Sequence, residues 1–245
     1  MNCRRLVRQI PQRSLLAALT LLITSGAFAQ SEAVPAFKSV DSIEARVQGC
    51  VTCHGQDGQG TNNGYFPRIA GKPAGYLYNQ LAAFRDGTRR YAPMNYLVAY
   101  LPDEYLREIA GYFAKQQPPF AAKETSTADA QTIAHGQSIA TQGNPKTGVP
   151  ACISCHGNAL TGMEPGIPGL VGIRPTYIVA QLTRWRVGER HALEPDCMKR
   201  VAERLSDEDI TAVAAWLSQQ PAPKDLVPVS SSQVRMPFAC GSQQR

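Results

Sequence analysis

An all-α protein made of two tandem copies of one unit is what this sequence predicts, and three observations predict it. The second half repeats the first at a period near one hundred residues. Apolar residues recur at helical spacing between clear end signals, while strand patterning is nearly absent. Each copy carries one Cys-x-x-Cys-His segment, Cys50 to His54 and Cys152 to His156.

The elements follow in chain order. Arg4, Arg5, Arg8 and Arg13 precede an apolar run, Leu15 to Ile23, that is too short to span a bilayer comfortably. In Ala27-Phe28-Ala29 the two alanines then supply small residues at the two positions a signal peptidase reads, so residues 1–29 are expected to be a signal peptide removed before Gln30. Cys3 lies ahead of the apolar run, not at its end where a lipid-bearing cysteine belongs. The mature protein is therefore expected in the periplasm, soluble or peripherally membrane-associated.

The first unit covers residues 30–120 and the second residues 129–222. Gly49-Cys50-Val51-Thr52-Cys53-His54-Gly55 answers to Ala151-Cys152-Ile153-Ser154-Cys155-His156-Gly157. Pro67, Gly71, Tyr76, Gln80, Leu81 and Gly87 recur 101 positions later, and Met94, Leu101, Asp103 and Ala110 recur 104 positions later. Each unit reads as about three main helices joined by long polar loops. Asp103 is expected to cap the last helix of the first unit. In the second, Ser206 with Asp209 forms an acidic variant of the capping box before the apolar face of Ile210, Val213, Ala214 and Leu217. Both helices end ahead of a proline, at Pro118 and Pro221. Residues 121–128 read as a linker into a helix over about Asp129 to Gln142, and residues 223–245 as a C-terminal extension.

Three short helices make a thin apolar core for one hundred residues, so something else must fill the middle of each unit. Cys-x-x-Cys-His places two thiols on one turn, where they can add to the two vinyl groups of a haem, and presents the next imidazole to the iron. Cys50, Cys53, Cys152 and Cys155 are thus the expected thioether positions of two covalently bound c-type haems, with His54 and His156 as proximal ligands. The backbone carbonyls of Pro67 and Pro168 are the expected acceptors for the second ring nitrogen. A structural zinc site needs a much shorter gap between its cysteine pairs, and a thioredoxin-like pair needs a strand-helix context and leaves the histidine unexplained. The sixth ligand decides whether the iron is closed for electron transfer or open to small molecules. Met94 and Met198 occupy matching repeat positions and are the expected axial ligands. At the second site Met163, Met236 and His191 stay open as alternatives. His135 and His191 receive no role, and Arg89, Arg90 and Arg190 are either propionate partners or plain surface charges.

Charge excludes little beyond a nucleic-acid partner. Loss of residues 1–29 removes four arginines and no acid, leaving 21 basic residues against 19 acidic ones. Of seven cysteines, Cys3 leaves with the leader and four serve the motifs, so Cys197 and Cys240 remain. Two leftover cysteines in an oxidising compartment suggest a disulfide.

Across about residues 40 to 221 these features resemble class I cytochromes c in duplicated form, the di-haem family of the cytochrome c4 type. The resemblance rests on Cys-x-x-Cys-His-Gly, the following proline with Ala-Gly or Val-Gly, Tyr-x-x-x-Gln-Leu, Met94 and Met198, and the last helix after Leu-Pro-Asp or Leu-Ser-Asp. It implies one haem per domain, held by His54 with Met94 and by His156 with Met198, with the haems facing one another across a pseudo-twofold interface. It also implies an electron carrier rather than an enzyme, working between membrane-bound respiratory complexes as donor and acceptor, toward a terminal oxidase or reductase. A cytochrome subunit of a dehydrogenase complex is the alternative, followed by a di-haem peroxidase or haem sensor. Cys197 before the methionine and the tail after Pro223 depart from the family pattern. A Cys197 to Cys240 bond is expected to tie that tail over the methionine side of the second haem.

Overall fold

A computed structural model describes residues 39–121, 127–223 and 225–243, all of them within one compact unit. The expected signal peptide and most of the expected linker lie outside the described residues. Helices dominate, as two separate apolar cores with five helices around each. The first five are α1 (Ile43–Arg46), α2 (Gln48–His54), α3 (Ala74–Arg85), α4 (Ala92–Val98) and α5 (Asp103–Ala114). The second five are α6 (Ala130–Gln142), α7 (Ile153–His156), α8 (Pro175–Arg186), α9 (Cys197–Ala202) and α10 (Asp207–Ser218). One short antiparallel pair, β1 (Gly162–Met163) and β2 (Ile167–Pro168), follows α7.

In the first half, α5 turns Leu106, Ile109, Ala110 and Phe113 inward at i, i+3, i+4 and i+7, against Val47, Leu77 and Val98. Burying side chains of this size is worth about 1.5–3 kcal/mol each. In the second half, α10 does the same with Ile210, Val213, Ala214 and Leu217 against Ile139 and Ile178. The helices α6 and α10 cross so closely that a Cβ at Gly136 would stand 2.0 Å from the Ala212 carbonyl oxygen. Only glycine fits at that crossing.

The capping expectations divide. Ser206 and Asp209 form the full reciprocal box at the start of α10, with Asp209 N–H donating to Ser206 Oγ at 3.1 Å and Ser206 N–H to Asp209 Oδ2 at 3.0 Å. Asp209 also binds His135 Nε2 at 2.7 Å, so His135 is a structural tie between α6 and α10. Asp103, by contrast, does not cap α5: Pro102 occupies the N-cap position, and Asp103 is the first helical residue. Its carboxylate pairs with Arg85 at 2.7 Å and pins the end of α3 instead. The repeat preserves that ion pair as Arg186 with Asp207.

The tail is fastened as the leftover cysteines suggest. Cys197 and Cys240 are joined, at an S–S distance of 2.07 Å. Val229 bridges Met163 in parallel, Gly241 N–H donates to the Pro195 carbonyl at 3.0 Å, and the Arg200 guanidinium lies 4.5 Å from the Phe238 ring centroid. The extension is thereby strapped across β1 and the helix that carries Met198. Among the described residues no helix is long and apolar enough to cross a membrane.

Candidate functional site

Helix α2 carries the whole first motif, and its last residue is His54. Gly55 follows at φ +84°, a backbone state that L side chains resist, and so releases the chain from the helix with the imidazole still facing inward. Gly157 repeats this at φ +81° after His156 on α7. Both rings are buried, and both have one nitrogen committed. His54 Nδ1 lies 2.9 Å from the Pro67 carbonyl and His156 Nδ1 lies 2.7 Å from the Pro168 carbonyl. The expected proline acceptors are therefore in place. A donated Nδ1–H fixes the tautomer and leaves Nε2 with its lone pair free for a metal. Burial pushes His156 down to about 4, against the opposing pull of the Pro168 carbonyl, and it also lowers His54. Both imidazoles are thus kept neutral, as ligation requires.

Three of the four motif thiols are held protonated by burial. Burial pushes Cys50 and Cys155 up to about 11 and Cys152 up to about 12, far from the thiolate character that reactive or zinc-binding cysteines need. Among the described residues no group of three or more His, Cys, Asp or Glu side chains could hold a metal ion.

Cys50, Cys53, His54 and Met94 line one cavity of about 810 Å³. The structure thus brings together all four residues expected at the first site. Met94 stands on α4 and also packs against the first core. At the second site Cys152, Cys155 and His156 are held together at α7, and Met198 stands half-buried on α9 beside the disulfide. Met163 is fully buried on β1, as a core residue. Met236 is half-buried in the tail.

The arginines are more than surface charge. Arg89 and Arg190, equivalent in the repeat, pair as an antiparallel bridge between the two halves. Arg89 donates to Gln80 at 2.7 Å, Gln181 at 3.0 Å and the Tyr177 hydroxyl at 2.8 Å. Arg190 donates to Gln181 at 2.8 Å and Gln80 at 2.9 Å. Every one of these acceptors is neutral. Arg190 is only 3% exposed, its Nε has no partner, and burial with Arg89 nearby lowers it to about 10. A buried cation without a counter-charge is costly, so this pair is built to meet an anion. Arg89, Gln80, Tyr177 and Gln181 all line the first cavity. Arg90, in contrast, is exposed. Sequence reasoning named the two arginines and noticed that Gln80 and Tyr76 repeat, but it had no signal that these residues meet.

Paired thiols, a neutral imidazole with one free nitrogen, a cavity of haem-binding character and unpaired buried cations fit a covalent haem with its carboxylates. The paired thiols and the imidazole held by a proline carbonyl recur on the second core, and together they define a c-type cytochrome motif present twice. The family model for cytochrome c matches residues 44–135. A thiosulfate dehydrogenase electron acceptor from Thiomonas intermedia is 36% identical over 212 residues, covering 86% of this chain and 93% of that protein. Cytochrome c4 from Pseudomonas aeruginosa is 33% identical over 201 residues, covering 81% and 94%. The crystal structure of reduced recombinant cytochrome c4 from Pseudomonas stutzeri superposes with a TM-score of 0.64 at 29% identity, covering 73% of this chain and 96% of that one. The chain belongs to the di-haem cytochrome c4 family. It is accordingly an electron carrier of two tandem class I cytochrome c domains, each with a covalently bound c-type haem.

Proposed function

We propose that this protein is a periplasmic carrier that moves one electron per haem from a membrane-bound or soluble dehydrogenase toward a terminal oxidase or reductase. The domains run over residues 30–120 and 129–222. Cys50, Cys53, Cys152 and Cys155 form the thioethers, and His54 with Met94 and His156 with Met198 are the axial pairs. When bound, each haem would supply a one-electron couple, and the Met94 and Met198 thioethers would raise its potential. The chain's own backbone carbonyls and side chains do the rest. Pro67 and Pro168 orient the two rings, Arg89 and Arg190 take up carboxylate charge between the halves, and Met94 closes the first cavity to small molecules. The observation that carries this reading is the twice-repeated imidazole pinned by a proline carbonyl, joined at the first site by Met94 in the same cavity.

The Thiomonas relative, a thiosulfate dehydrogenase electron acceptor, favours one donor, a thiosulfate dehydrogenase. Oxidised holoprotein should stay oxidised with thiosulfate alone and become reduced at both haems once a thiosulfate dehydrogenase is added. Reduction by thiosulfate alone would make the chain an enzyme in its own right. Failure with the dehydrogenase present would remove that donor.

A further inference from the structure

Each half seats its methionine at the start of a short helix, and the two halves fasten that helix by different means. In the first, Asn95 follows Met94 on α4 and commits its whole side-chain amide to backbone. Its Oδ1 accepts the Tyr91 N–H at 2.8 Å, and its Nδ2 donates to the Phe84 carbonyl at 2.5 Å and the Arg89 carbonyl at 2.9 Å. One side chain thereby ties the end of α3, the segment after it and the start of α4 together beside Met94.

The second half lacks this tie. In the register that pairs Met94 with Met198, Lys199 stands where the first half has Asn95, and it pairs with Glu203 at 4.0 Å. Asp196 supplies part of what is missing: it accepts the N–H of Ala192, the counterpart of Tyr91, at 2.7 Å and that of Lys199 at 3.0 Å. An aspartate has no N–H to offer the carbonyls of Trp185 and Arg190, the counterparts of Phe84 and Arg89. A covalent tie stands there instead. Cys197, between Asp196 and Met198, is bonded to Cys240, whereas the first half has Pro93 at that place and no cysteine outside its haem motif. The far end of the tie is firmly seated. Cys240 is only 4% exposed, and a Cβ on Gly241 would stand 2.4 Å from the carbonyl oxygens of both Leu193 and Glu194, in the loop that feeds α9.

Supporting bonds around a metal ligand hold it in the geometry that binding needs. We propose that Asn95 is the positioning residue for the Met94 thioether, and that the Cys197–Cys240 bond takes its place for Met198. This rests on the reading of Met94 and Met198 as iron ligands.

The test is carbon monoxide titration of the matured, ascorbate-reduced protein, comparing wild type with Asn95→Asp, with Cys197→Ala/Cys240→Ala and with all three changes together. Asn95→Asp keeps the acceptor and loses both donors, as Asp196 does. Carbon monoxide competes with the thioether for ferrous iron, so a loosened ligand tightens its binding by the same factor. Expected in Asn95→Asp is a rise in affinity of roughly 25-fold at one haem of the two, about fivefold for each donor bond lost. The cysteine variant should show a rise of about tenfold or more at the other haem, and the combination a rise at both. Far-UV circular dichroism should stay at the wild-type level throughout. Unchanged affinity in Asn95→Asp or in the cysteine variant overturns the proposal, as does a rise at both haems from either one, or a combination that opens a single haem. A rise that comes only with lost ellipticity marks general unfolding and overturns it too. Asn95→Ala carries the same comparison should Asn95→Asp mature poorly. Met94→Ala and Met198→Ala separate the two levels: closed irons there remove the ligand assignment and this proposal with it, while open irons there and closed ones in Asn95→Asp remove the proposal alone.

Discussion

Replacing both Cys197 and Cys240 with alanine tests how much the strapped tail contributes to the second half. The bond closes a loop with a sequence separation of 43. In the chain-entropy relation a loop of that size removes about 13 cal/mol/K from the denatured ensemble, or about 4 kcal/mol at 25 °C. With a urea m-value of about 2 kcal/mol/M, the unfolding midpoint of the second half should fall by about 2 M. Far-UV circular dichroism on the oxidised holoprotein measures this, with reduced wild type as the control that should fall by the same amount. Tryptic cleavage at exposed Arg235 should accelerate in the variant, because the tail then keeps its hydrogen bonds to Gly162, Glu164 and Pro195 and the Arg200–Phe238 contact but loses its covalent tie. A midpoint change below about 0.5 M, with cleavage at Arg235 unchanged, would refute the claim that the bond is what fastens the extension.

Three further outcomes are expected. Met94→Ala should open the first iron, so that the reduced protein binds carbon monoxide at one haem and the potential of that haem drops; a variant that stays closed would withdraw Met94 as a ligand. Gly136→Ala should destabilise the second half by about 3 kcal/mol or more in thermal or urea unfolding, since the new methyl meets the Ala212 carbonyl oxygen at 2.0 Å and must push α6 from α10; a neutral effect would show that the crossing yields easily. Ser206→Ala should cost about 1 kcal/mol by the same measurement, while Ser206→Asp should retain most of the stability because a carboxylate can accept the same N–H.

Much of this architecture was legible in the residues. The repeat located both motifs, the Ser206 and Asp209 spacing gave the start of α10, and two unassigned cysteines pointed to the bond that holds the tail. The proline carbonyls at 67 and 168 were legible because a histidine ligand needs an acceptor for its second nitrogen. The failures have physical causes too. Asp103 has the chemistry of a cap, but Pro102 takes the N-cap position and Arg85 claims the carboxylate. The helices α4, α7 and α9 went unread because four to seven residues are too few to present a full apolar period. For Arg89 and Arg190 the sequence left propionate partner and plain surface charge equally open, since such residues are rarely buried without partners. Their burial comes from two halves closing on each other, and no local pattern encodes that. The same reason hides the Gln80 and Gln181 bridge, although both glutamines stand in the repeat.

The most direct measurement is the absorption spectrum of periplasmically matured protein, oxidised and reduced, with haem quantified as the pyridine haemochrome. Two c-type haems per chain, both low-spin and with the weak oxidised band of methionine-iron ligation, are the predicted result. One haem per chain, or a high-spin fraction without that band, would contradict the two closed irons on which the account stands.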